Sequence, residues 1–149
     1  MSLLNNIIIN TIPILPKQMV KIIADKYVAG QSINDAINKT EYINSQNYEV
    51  TIDLLGEHVK ELSEVNNITN IYLELLEKIY KKNLKSNISV KPTHIGLDIN
   101  RDTFRDNAFK LVEKAKRLNN FIRFDMENSF TTDATIKTFK EIQNNYKNV

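Results

Sequence analysis

The chain has no cysteine and no tryptophan, and only three glycines, three prolines and two histidines in 149 residues. Without cysteine there is no disulfide, no thiolate nucleophile and no sulfur-ligated metal. His58 and His94 lie far apart, outside any metal-ligand spacing, so no metal site is expected. The glycines stand at 30, 56 and 96. That scattering cannot build a P-loop or a dinucleotide-binding fingerprint. Charge of one sign is lacking too. Twenty Lys and Arg face 18 Asp and Glu, a net charge of +2. The charges are interspersed, so there is no broad basic field for nucleic acid. No run reaches the roughly 18 apolar residues that span a bilayer. Leu3 to Leu15 is the most apolar stretch, but asparagines and Pro13 interrupt it. It has no basic start and no small-residue cleavage site, so it reads as an arm packed on the domain rather than as a leader.

What is present is a soluble composition, 42% hydrophobic and 26% charged, long enough for one domain with a core. Pro16 to Ala29 has a helical apolar stripe, with Pro16 suited to a first turn and Gly30 to a stop. Ser32 can cap a second helix through Ile43. Tyr48 to Leu54 then alternates: Val50, Ile52 and Leu54 against Glu49, Thr51 and Asp53, the pattern of a strand. Glu64 to Lys82 returns to a helical period, with Ile68, Ile71, Tyr72, Leu75, Leu76 and Ile79 in line. Asn87 to Lys91 reads as a second strand, closed by Pro92. Thr103 to Leu118 is helical, and Phe121 to Asp125 is a third strand. Thr132 or Asp133 is expected to cap a last helix that buries Ile136, Phe139 and Ile142. Tyr27, Tyr48 and Tyr72 read as packing residues, and His94 as a hydrogen-bonded loop histidine.

The order is β-α-β-α-β-α after an N-terminal helical arm, residues 1–46, with the β/α portion at 47–149. Each strand delivers charge at its carboxyl end: Asp53 with Glu57, then Lys91, then Asp125 with Glu127. In parallel β/α proteins this is where the chemistry sits, because the strand fixes the backbone and the loop carries the group. Strand-to-strand spacings of 34 and 38 residues compare with about 31 per unit in a barrel of roughly 250 residues. They suit a doubly wound sheet as well, but the missing phosphate loops favour a barrel. Three strands cannot close one, so the expected fold is α/β, the first three units of a TIM-type (β/α)8 barrel preceded by helices.

The same strand ends resemble the proline dehydrogenase family. The resembling stretches are Lys26-Tyr27-Val28-Ala29-Gly30, Val50-Thr51-Ile52-Asp53-Leu54-Leu55-Gly56-Glu57, Ser89-Val90-Lys91-Pro92-Thr93, Arg123-Phe124-Asp125-Met126-Glu127-Asn128-Ser129 and Thr132-Asp133-Ala134-Thr135. They occur in the family's order across roughly residues 16 to 147. The resemblance implies an FAD-dependent β/α barrel that oxidises L-proline to Δ1-pyrroline-5-carboxylate, with quinone as an electron acceptor. It implies that Lys91 binds the substrate carboxylate, that Asp125 is the active-site carboxylate and that Met126 meets the flavin through its backbone. Asp53 and Glu57 would brace the mouth. The resemblance stops after the third helix, before the family's later flavin- and carboxylate-binding residues. The expectation is therefore a chain inactive by itself. The alternative is a non-catalytic half-barrel that binds a second chain or self-associates. The expected compartment is the cytoplasm, with contact at a membrane edge if electrons pass to quinone.

Overall fold

The computed structural model describes residues 28–149. The expected helix at 16–29 lies outside the described residues except for Val28 and Ala29, which are not helical. Tyr27 is also outside them. Ser32 starts helix α1 (Ile33–Ser45) as expected. Its hydroxyl donates to Asp35 Oδ2 at 2.8 Å and accepts from Asp35 N at 3.2 Å, which satisfies donors the helix end leaves open.

Residues 37–149 form one compact unit. It contains β1 (Val50–Asp53), α2 (Leu62–Lys81), β2 (Ser86–Val90), a 3-10 turn (Pro92–Ile95), α3 (Arg101–Arg117), β3 (Ile122–Phe124) and α4 (Ser129–Gln143). The three strands are parallel in the order β1-β2-β3. Right-handed crossovers in one direction lay the connecting helices on one face of the sheet, and α2 packs on α3, which packs on α4.

Register decides what each face carries. Asp53 pairs with Ser89, and Ser89 with Arg123. The pleat then puts Ile52, Ile88, Val90, Ile122 and Phe124 toward the helices. Thr51, Asp53, Asn87, Ser89, Lys91, Arg123 and Asp125 fall on the other face. The helix-side layer is the core: Ile88, Val90 and Ile122 are fully buried against Val65, Tyr72, Leu76, Phe104, Leu111 and Val112. Each such side chain contributes about 1.5–3 kcal/mol by leaving water. Tyr72 is in this core as expected. Tyr48 is not: it stands just before β1 and is 68% exposed.

The last helix differs from expectation at its start and on its buried face. It begins at Ser129 with Asn128 as the N-cap, not at Thr132 or Asp133. Asn128 Oδ1 accepts from Phe130 N at 2.9 Å and Thr131 N at 3.2 Å, and Asn128 N donates to Thr131 Oγ1. That reciprocal pair is a capping box, with its cap four residues before Thr132 and five before Asp133. The buried stripe is Thr131, Thr135, Thr138 and Ile142. Ile142 is buried as expected, but Ile136 is exposed and Phe139 is half-buried. The apolar residues sit on a flank of the helix, beside the stripe that meets the protein.

After α4 the chain returns to β3. Asn148 O accepts from Ile122 N at 3.0 Å, and Asn148 Nδ2 donates to the carbonyls of Val112 and Asn120.

Candidate functional site

The charged residues expected at the strand ends do converge. Lys91 follows β2 directly and reaches sideways. Its Nζ donates to Asp53 Oδ2, at the end of β1, over 2.5 Å. Asp125 Oδ2, just beyond β3, lies 3.8 Å from the same ammonium. Asp125 is held in turn by Ser89, whose Oγ donates to Oδ1 at 2.5 Å. Ser89 has the parity of Lys91 on β2, so alternation alone puts both on the charged face. That parity is the sequence signal for Ser89, which the charged strand ends alone do not reveal.

A second set of bonds ties the loops together. Glu127 accepts from the backbone N–H of Thr93 at 2.9 Å and from its hydroxyl at 2.5 Å. The Thr93 hydroxyl accepts from His58 N at 2.9 Å. Thr93 is fully buried. Charge at a strand end was legible for Glu127, but Thr93 as its partner was not, because the pair spans two loops.

Electrostatics follow from this crowding. Burial pulls the Lys91 ammonium down, but the Asp53 hydrogen bond and the charges of Asp53, Asp125 and Glu127 outweigh it and hold its pKa above the usual lysine value. Burial also pushes the Tyr72 phenol upward, helped by Asp53 and Asp125. His94 is buried, in the 3-10 turn that follows β2. Its ring meets Tyr72 edge-on, with Nδ1 3.5 Å from the phenol oxygen. Burial lowers its pKa, and Lys91 adds to that against the pull of Asp53.

Gly56 makes room for that ring. At φ +148° a Cβ there would fall 2.6 Å from His94 Nε2. Glycine is required on both counts, and the β1 loop thereby rests directly on the imidazole. Met126 is 54% exposed and Phe130 is 96% exposed. Phe124, Met126, Thr135, Ile136 and Phe139 line a hollow of about 200 Å³. Glu57 is exposed and takes no part in the hydrogen bonds of the cluster. Among the described residues no group of three or more His, Asp and Glu is placed to hold a metal ion, and no helix is long and apolar enough to cross a membrane.

The family profile described as proline dehydrogenase matches residues 36–148. The chain belongs to the proline dehydrogenase family. It is 30% identical over 129 residues to proline dehydrogenase 2 of Bacillus subtilis subsp. natto, covering 87% of this chain and 42% of that protein. It is 27% identical over 131 residues to a proline dehydrogenase of Deinococcus radiodurans, covering 86% of this chain and 42% of that one. The chain thus spans less than half the length of the curated relatives it matches. Its fold is similar to that in the crystal structure of proline utilization A from Bdellovibrio bacteriovorus inactivated by N-propargylglycine. The TM-score is 0.77 at 22% identity, over 86% of this chain and 16% of that one.

Proposed function

We propose that this chain carries the proline-binding side of a proline dehydrogenase site, built on the first three units of a (β/α)8 barrel. The reaction is oxidation of L-proline to Δ1-pyrroline-5-carboxylate, in which a ring carbon gives up a hydride and the ring nitrogen a proton. The observation that carries the reading is the ammonium of Lys91 standing between Asp53 and Asp125. A lysine has three N–H donors. Asp53 engages one, which leaves capacity for an incoming carboxylate. Proline is a zwitterion, and the flanking carboxylates suit its ring ammonium as Lys91 suits its carboxylate. Charge-assisted pairs of this kind in a partly dry pocket are strong and directional.

Met126 and Phe130 are exposed, and Met126 lines an apolar hollow with Phe124, Ile136 and Phe139, a surface that suits a flat, largely apolar ring system. Met126 would hold the FAD ring through its backbone, with Asp125 at its polar side. When bound, the flavin supplies the hydride acceptor. The residues of this chain bind the carboxylate, orient the ring and offer Asp125 near the nitrogen that loses its proton. No Gly-rich loop follows any strand to cradle the FAD diphosphate. Asp53 braces Lys91 and Glu57 stands at the mouth.

The test is a visible spectrum of the purified chain after incubation with FAD and desalting, repeated after adding L-proline. Retained flavin that bleaches with proline supports the reading, and Lys91→Ala and Asp125→Ala should then abolish bleaching. Retained flavin that ignores proline would sink it.

A second reading has its own observation. Among the described residues β1 and β3 are edge strands, and Leu55 and Phe130 are 85% and 96% exposed beyond them. Open parallel edges with apolar surface invite a further chain. On this reading the protein is a half-barrel that self-associates or receives a partner. Sedimentation would show a single stoichiometric species larger than 17.3 kDa, and a monomer at high concentration would count against self-association.

A further inference from the structure

The cluster of charges explains what could bind, but not what keeps three loops in register. Asp53 ends β1 in register with Ser89, and Asp125 N donates to Val90 O at 3.0 Å, but beyond these residues the loops run outside the ladder. Asp53, Lys91 and Asp125 must still meet within a few ångströms. The ladder sets the backbones at the strand ends, and the loops that continue from them need a tie of their own.

Glu127 is placed to do so. It lies two residues beyond Asp125 on the β3 loop. Both of its oxygens are used on one residue of the β2 loop, Oε2 by Thr93 N and Oε1 by Thr93 Oγ1. Thr93 passes the connection on. Its hydroxyl accepts from His58 N of the β1 loop, and its carbonyl accepts from Val59 N at 3.3 Å. One carboxylate and one threonine therefore join all three loops. Thr93 lies two residues beyond Lys91, and His58 five beyond Asp53, so each joint is close to the group it would hold. The site of the joint is dry on one side, since Thr93 and Val59 are buried. Hydrogen bonds to a charged acceptor there are worth more than neutral ones.

We propose that Glu127 is a positioning residue, a clamp that acts through Thr93 to hold Lys91 between Asp53 and Asp125. This rests on the reading of that cluster as the substrate site, but the clamp can be tested without flavin or proline. Two consequences separate it from a residue that merely adds negative charge or merely stabilises the fold.

Amide hydrogen exchange of the purified chain is the first measurement. Glu127→Ala should speed exchange at Thr93 and His58 by about tenfold or more, while amides in the middle of α3 stay as slow as in the parent. Glu127→Gln keeps the shape and one carbonyl acceptor, so it should restore most of that protection. The second measurement is the titration of the Lys91 ammonium, followed by nitrogen-labelled lysine NMR. Both substitutions remove the Glu127 charge and lower the Lys91 midpoint. Only Glu127→Ala also loosens the loops, so its midpoint should fall further. Thr93→Val, which keeps Glu127 and its charge, should lower it as well. Equal Lys91 midpoints in Glu127→Ala and Glu127→Gln, or unchanged exchange at Thr93 and His58, would overturn the clamp. A uniform rise in exchange across α3 would do the same, because it would make Glu127 a global stabiliser. A clamp that passes these tests in a chain that binds neither FAD nor proline would leave the clamp standing and remove the substrate reading.

Discussion

The two faces of one sheet are built by different rules. Ile122 and Arg123 are neighbours in β3, yet one is fully buried under the helices and the other is exposed on the charged face. The helix-side face is closed by packing: aliphatic side chains fill it, and α2 and α3 cover it. The opposite face is polar, with Asn87 and Ser89 buried in it and Arg123 exposed, and it carries three carboxylates and one ammonium within a few residues of the strand ends. The first face is held by apolar packing; the second is held by polar side-chain bonds, Thr51 to Asn87 and Ser89 to Asp125, and presents its charges at the strand ends, where chemistry can sit. A sheet of this kind can change its reaction without changing its core.

The largest test of that division is a pair of substitutions in one strand. Ile122→Ala should cost about 2–5 kcal/mol, read by urea unfolding, because it leaves a cavity in a dry layer. Arg123→Met, one residue away, should stay within about 0.5 kcal/mol, as surface changes away from special features do. If the two costs came out alike, the charged face would be structural and the division would fail.

Next in size is Gly56→Ala, where the two faces meet. A methyl group there would collide with the buried His94 ring, and the backbone at φ +148° disfavours any side chain. A cost of about 1–3 kcal/mol is expected for backbone strain of this kind. The double variant with His94→Ala separates the terms. It should recover the part due to collision and leave the part due to φ.

How much of this was readable beforehand follows the same division. Strand alternation and helical stripes announced the helix-side face, so β1, β2, β3, α2 and α3 fall close to where period and β-branching place them. Asp53, Lys91 and Asp125 were legible as charges at strand ends, and their convergence needed only parallel strands in sequential order. Local periodicity failed on α4. Its buried stripe is threonine, and a count of apolar residues points to Ile136 and Phe139 instead. The later Thr132-Asp133 pair matches a cap signature as well as Asn128 does, and only the capping box with Thr131 decides between them. The Glu127–Thr93–His58 connection was hidden for another reason: it joins loops 34 and 35 residues apart, and no local pattern carries that information.

A smaller effect tests α4 itself. Thr135 Oγ1 donates to Thr131 O at 2.8 Å, the usual outlet for a helical threonine. Thr138 Oγ1 is buried and has no partner among the described residues. An unpaired buried hydroxyl costs about 1–3 kcal/mol. Thr138→Val keeps the shape and removes that cost, so it should raise the unfolding midpoint by the equivalent of about 1 kcal/mol. Thr135→Val should not, because it discards a made bond. A stripe of threonine where a core expects valine is thus a stability reserve, and equal effects of the two substitutions would deny it.

The smallest expected effect is also the one whose sign is easiest to mistake. His58 and His94 sit on adjoining loops and titrate in opposite directions. His94 is buried, and burial lowers its pKa below 6.5. Folding therefore favours its neutral form. That contribution is whole above the unfolded value near 6.5 and is lost as pH falls below it toward the folded value. His58 is solvent-exposed and its Nδ1 meets Asp98 Oδ2 at 2.8 Å. The Asp98 hydrogen bond raises its pKa, so its contribution is whole below about 6.5 and fades as pH rises through the folded value. Between pH 7.5 and 5.5 the two histidines oppose each other, and the buried one should win, because a solvent-exposed ion pair is worth little. Unfolding midpoints over that range should fall modestly in the parent chain. His94→Gln should flatten the fall and Asp98→Asn should steepen it. A parent that gained stability on acidification, with His94→Gln unchanged, would mean that the imidazole beneath Gly56 reaches water and that the β1 loop does not rest on it.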